Sequence, residues 1–106
     1  MALLVYVTVP DEAEARHIAR TLVEAQLAAG VNILHGANSI YRWQGRVCEG
    51  TEHILLAQVS RAAFATVRET ILALHSHQTP CIIALPIDGG HCPFLHWIEE
   101  NSRPSA

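Results

Sequence analysis

Apolar positions change their period several times along the chain, and each change marks a new element. Leu3 to Val9 is a short run rich in β-branched and aromatic residues, which predicts a buried strand ended by Pro10. Asp11 followed by Glu14 resembles a capping box, with Asp in the Ser/Thr role. Ala15, Ile18, Ala19, Leu22, Val23 and Ala25 then recur at helical spacing, with Arg16, Arg20 and Glu24 on the other face. The helix is expected to stop at Gly30, a favoured residue just past a helix end. Val31 to Trp43 reads as one long strand, Gln44-Gly45 as a tight turn, and Arg46 to Val59 as a returning strand. Ser60 suits an N-cap, and Phe64, Val67, Ile71 and Leu74 mark a second amphipathic helix. His75 to Thr79 is a loop and Pro80 introduces the strand Cys81 to Ile87. Asp88-Gly89-Gly90 turns the chain, and Pro93 stands at the first position of a short helix running to Glu100. The tail Asn101 to Ala106 is expected to fray.

The order β-α-β-β-α-β plus a small terminal helix predicts an α+β, ferredoxin-like fold, with two helices on one face of a four-stranded sheet. The 106 residues make one domain, with an ordered core of about 3–100. Each middle strand has about 13 residues and spans about 43 Å, against a diameter of roughly 34 Å for a domain of this length. The hairpin therefore overhangs its own sheet and exposes Ile40, Tyr41 and Trp43 on an unpaired edge, which predicts pairing with another copy.

Composition narrows the function. The chain is 50% hydrophobic and 16% charged, which excludes a disordered chain. A net charge of −3 and the absence of a Lys/Arg run argue against nucleic acid. No apolar run approaches the roughly 20 residues of a membrane span, and no signal peptide is recognisable. The odd count of three cysteines, with no C-x-x-C pair, fits neither a disulfide framework nor a zinc ribbon. The expectation is a cytosolic protein with reduced thiols.

Four groups of residues resemble a known family. Val31-Asn32-Ile33, the hairpin Ser39-x-Tyr41-x-Trp43-x-Gly45-Arg46, the strand Ala84-Leu85-Pro86-Ile87 and the helix Leu95-His96-Trp97-Ile98 are similar to the CutA family, the divalent-cation-tolerance proteins. The resemblance runs from Leu4 to about Asn101. It implies a ferredoxin-like homotrimer whose long hairpins pair between subunits, with a role in copper binding and metal tolerance. Two departures stand out. The family's H-P-Y-x-x-P-E loop is here His75-Ser76-His77-Gln78-Thr79-Pro80-Cys81. A copper-ligand cysteine and a histidine proposed in some members fall on Val7 and Leu74, which cannot ligate.

Seven histidines make metal chemistry the leading candidate, because imidazole is the commonest metal ligand. His75, His77 and Cys81 share a loop, and His91 and Cys92 begin the last helix. Thiolate and imidazole suit zinc and copper, so copper or another divalent ion is the expected cofactor. The plain alternative is that the two loop histidines are solvated and Cys81 is a small buried hydrophobe. Cys48, beside Glu49 and His53, reads mainly as strand packing. Tyr41, Trp43 and Arg46 with Ile40 read as oligomer interface in preference to an anion pocket. Gly89-Gly90 is too short for a phosphate loop. No nucleophile, base and orienting group fall together, so no enzyme is expected. Two rivals to metal binding stand: a PII-like trimer that takes a small effector between subunits, by fold analogy, and a trimeric scaffold without a ligand.

Overall fold

A computed structural model describes residues 1–104. It is a mixed α/β fold with one four-stranded antiparallel sheet. The strands are β1 (Ala2–Val9), β2 (Gly30–Trp43), β3 (Arg46–Ser60) and β4 (Ile82–Pro86), and the helices are α1 (Glu12–Glu24), α2 (Phe64–Leu74) and α3 (Cys92–Asn101). The sheet order is β2-β3-β1-β4.

The core follows from strand alternation. Val5, Val7 and Val9 of β1 and Leu55, Ala57 and Val59 of β3 point to one face. There they meet Ala15, Ile18 and Leu22 of α1 and Val67 and Ile71 of α2. Alternate residues point to the opposite face, which these two helices leave open. Leu34, Ile83 and Leu85 are each about half exposed on it. The α3 helix closes a smaller cluster, in which Ile98 packs with Ala2 and Ala29. Phe94 and Trp97 of the same helix stack on one another at 5.1 Å and stay partly exposed.

Local rules explain most ends. The Asp11 carboxylate accepts the Glu14 N–H at 2.8 Å, half of the expected capping box. The other half is missing because the Glu14 side chain reaches a loop instead. Ser60 caps as expected, accepting the Ala63 N–H at 3.2 Å, but a 3-10 turn over Arg61–Ala63 precedes α2. Gln44 and Gly45 both have positive φ, 51° and 78°, the backbone of a type I′ hairpin turn.

The end of α1 corrects the expected stop at Gly30. The helix finishes at Glu24, and Gln26 takes the left-handed position at φ 58°. The Leu27 N–H reaches back to Leu22 O at 2.9 Å and the Gln26 N–H to Val23 O at 3.0 Å. That pair of bonds is a Schellman motif, and buried Leu22 and Leu27 form its apolar contact. Gly30 opens β2 instead; a side chain there would meet Gln58 at 2.7 Å. Gln26→Gly relieves the left-handed strain at an exposed position. It is expected to stabilise the chain by about 0.5–1 kcal/mol in a denaturant melt.

Two further expectations change. The strand predicted for Cys81 to Ile87 is shorter, since only Ile82–Pro86 pairs with β1. The tail does not fray directly after α3. Ser102 is buried, its hydroxyl donating to Leu27 O and accepting the Ser60 N–H, and the Arg103 N–H binds Gln26 O. The expected tail's last two residues, 105–106, lie outside the described residues.

The hairpin overhangs as its length required. β3 pairs with β1 only from His53 to Ser60. Beyond that, β2 and β3 pair with each other alone, from Ala37 opposite Glu52 to Trp43 opposite Arg46. The longest dimension of the chain is 43 Å.

Candidate functional site

The loop between α2 and β4 carries the strongest candidates. His75 caps α2 in an extended conformation, and its N–H binds Ile71 O at 2.8 Å. This turns its ring inward, where the side chain is fully buried. Both ring nitrogens are used there. Nε2 lies 2.8 Å from the Thr8 carbonyl, and Nδ1 accepts the His77 N–H at 3.0 Å. Because Nδ1 accepts, the proton sits on Nε2 and is donated to Thr8 O. Glu14 braces the same loop, accepting the Ser76 N–H at 2.9 Å. His75 is thus a strut between α2, β1 and the loop. With no free lone pair on its ring, it does not fit the metal-ligand role expected of it.

His77 and Cys81 sit differently. His77 is exposed, its ring 5.0 Å from that of His75. Cys81 is partly buried, and burial pushes its thiol above the usual range. The Glu52 charge adds to the rise, while hydrogen bonding to Thr8 opposes it. Both residues line a cleft of about 780 Å³ between the loop, β1 and the hairpin. Tyr6, Tyr41, Trp43 and Glu52 are among the other residues that line it. The cleft therefore gathers a carboxylate, a thiol, an imidazole and three aromatic rings.

His91 and Cys92 are not part of this site within one subunit. Cys81 precedes β4 and His91-Cys92 follow it, so a five-residue strand about 16 Å long lies between the two groups. His91 is the N-cap of α3, its carbonyl accepting the Phe94 and Leu95 N–H groups. Gly90 makes room for the Leu95 side chain, 3.2 Å from where a Cβ would stand. Among the described residues, no three His, Cys, Asp or Glu side chains converge on a point that would hold a metal ion.

On the hairpin, Ile40, Tyr41, Trp43 and Arg46 are all exposed in the single subunit, Ile40 at 70%. Tyr41 lies opposite Cys48 and Trp43 opposite Arg46. The sequence reading missed Tyr6, Glu14 and Glu52. Strand alternation places Tyr6 and Glu52 on the open face. Only the fold brings them to the loop, because along the chain Tyr6 lies 70 and Glu52 24 residues from Ser76.

An antiparallel sheet with a projecting hairpin, an open apolar face and this cleft defines a small mixed α/β domain. Residues 3–101 match the family model described as "CutA1 divalent ion tolerance protein". The chain is 48% identical over 102 residues to the divalent-cation tolerance protein CutA of Thermus thermophilus, covering 96% of this chain and 99% of that one. It is 35% identical to the chloroplastic protein CutA of Arabidopsis thaliana, of which it spans 56%. Among solved structures, the Thermus thermophilus divalent cation tolerance protein superposes with a TM-score of 0.94 at 48% identity, covering 96% of this chain and 99% of that one. The Archaeoglobus fulgidus protein, described as a periplasmic divalent cation tolerance protein, superposes at 0.93 and 40% identity, covering 97% and 100%. This chain belongs to the CutA1 divalent ion tolerance family. The Thermus thermophilus and Archaeoglobus fulgidus relatives are named for divalent-cation tolerance. No helix among the described residues is long and apolar enough to cross a membrane.

Proposed function

We propose that the chain serves divalent-cation tolerance as a homotrimer of ferredoxin-like subunits, and that the cleft beside the loop takes copper or another divalent ion. The observation that carries this reading is the gathering of Glu52, His77 and Cys81 around one cleft. The donor set suits a soft or borderline cation. Imidazole and thiolate bind zinc and copper, and thiolate favours Cu(I). A bound cation offsets the Glu52 charge and replaces the proton that burial keeps on Cys81. His75 holds the loop in place and does not ligate.

The trimer reading rests on the β2-β3-β1-β4 order, the overhanging hairpin and the uncovered apolar face. Three cysteines without a disulfide support a reducing, cytosolic setting. No catalytic role is part of the proposal.

The test is a calorimetric titration of the reduced protein with Cu(I), Cu(II) and Zn(II). The double variant His77→Ala, Cys81→Ser is expected to lose saturable binding at the cleft and to keep its oligomeric mass in light scattering. Binding unchanged in that variant would remove the cleft from the reading. A second reading has its own observation. A cleft of about 780 Å³ with three aromatic rings lies in the size range of organic-ligand sites. A PII-like effector would then raise the melting temperature in a thermal-shift screen without metal.

A further inference from the structure

A second cluster of donors lies on the helix-facing side of the sheet. Leu34 pairs with Ile54 and Ala37 with Glu52, so His35 and Gly36 together face the single residue His53. This is a β-bulge, and Gly36 takes the left-handed backbone it needs at φ 70°. Strand alternation sets His35 with Val31 and Ile33 on the helix-facing side, and His53 with Leu55 on the same side. The two rings consequently meet, with centroids 4.9 Å apart and planes at 85°. Glu12, in the first turn of α1, brings its Oε1 to 3.6 Å from His35 Nδ1.

One atom in this cluster is unexplained by folding. His53 Nδ1 is buried and has no hydrogen-bond partner among the described residues. A buried polar atom left unpaired is costly and calls for a reason. The ring spacing supplies one. Two imidazoles that bind one ion at about 2.0–2.1 Å, with an angle of about 90–109° between them, have centroids roughly 4.5–5.2 Å apart. The ring torsion of histidine is broad, so small rotations aim both nitrogens at a shared point.

We infer that His35 and His53 form a two-histidine chelate for a first-row transition ion, Zn²⁺ or Cu²⁺, with the Glu12 carboxylate beside His35 as a counter-charge. The ion would take the lone pair that His53 Nδ1 now holds unpaired. The cluster is open to solvent on the Glu12 and His35 side, where both side chains are more than half exposed. An ion can therefore enter and keep water in its remaining positions. The site joins the bulge to the start of α1, away from the loop cleft, and stands independently of it.

The experiment uses the full chain with Zn²⁺ and Cu²⁺ in two backgrounds. In the His77→Ala, Cys81→Ser background, one saturable ion per subunit should remain. Its Cu²⁺ spin-resonance spectrum should carry the nitrogen couplings of imidazole. Adding His35→Ala and His53→Val should abolish both the binding and the couplings. Valine suits a half-buried strand position and removes the unpaired nitrogen. Metal-free His53→Val should therefore melt no lower than the wild type, which separates lost ligation from lost fold. Zn²⁺ should raise the melting temperature of the wild type and not that of the His35/His53 variant. Nitrogen-ligated binding that survives the His35/His53 substitutions would overturn the assignment. So would no ion bound in the His77/Cys81 background.

Discussion

His75→Ala is expected to cost about 2–4 kcal/mol of stability, because it empties a fully buried site and breaks two hydrogen bonds at once. The Thr8 carbonyl would lose its Nε2–H donor and the His77 N–H would lose its Nδ1 acceptor. For a chain of this length the change lowers Tm by roughly 10 °C or more, measured at fixed protein concentration. The same variant separates strut from ligand. As a strut, the residue can be lost while the folded fraction still binds Cu or Zn at the cleft through His77 and Cys81. If instead His75→Ala left stability near wild type and removed metal binding, the strut role would fail and the expected ligand role would return.

Trp43→Glu is expected to break the proposed trimer. Trp43 is 49% exposed on a hairpin that has no partner strand in its own subunit. An aromatic anchor at an interface is commonly worth 2 kcal/mol or more, and 2 kcal/mol is about 30-fold in an equilibrium constant. A carboxylate forced into such a contact adds a desolvation penalty, and three copies of the change act on one trimer. Light scattering should then report monomer mass at concentrations where the wild type gives the mass of the proposed trimer. The freed hairpin should also become the first site of limited proteolysis, since a lone two-stranded ribbon is marginal in water. Trimer mass in this variant would place the interface elsewhere, with the open face carrying Leu34, Ile83 and Leu85 as the next candidate.

These two residues mark where sequence reading works and where it stops. Trp43 was legible because its position depends on local patterning. Two long strand segments joined by Gln44-Gly45 close as a hairpin, and their length alone sends the tip past the sheet. The strand of Val5, Val7 and Val9, the Asp11 cap and the Val67/Ile71 helix face were legible for the same reason: each is a rule of spacing within a few residues. His75 was visible as a residue of interest, but its role was not. Whether an imidazole ligates a metal or holds a loop depends on what lies beside it, and Thr8 is 67 residues away.

The same limit explains the other differences. Gln26 ends α1 because Leu27 must turn back to bury itself against Leu22, a packing demand that outweighed the preference for glycine at Gly30. Glu14 left the capping box because the folded loop offers it the Ser76 N–H. The cleft exists only where β1, the hairpin and the loop converge, so Glu52 carried no local signal. His35 and His53 meet because a bulge at Gly36 holds the register that sets them face to face. By itself, then, this sequence determined its elements, their order and the overhanging hairpin, all of which follow from periodicity and chain length. The tertiary structure alone decided which donors share a site and which are spent on the fold, because those are long-range contacts that no spacing rule encodes.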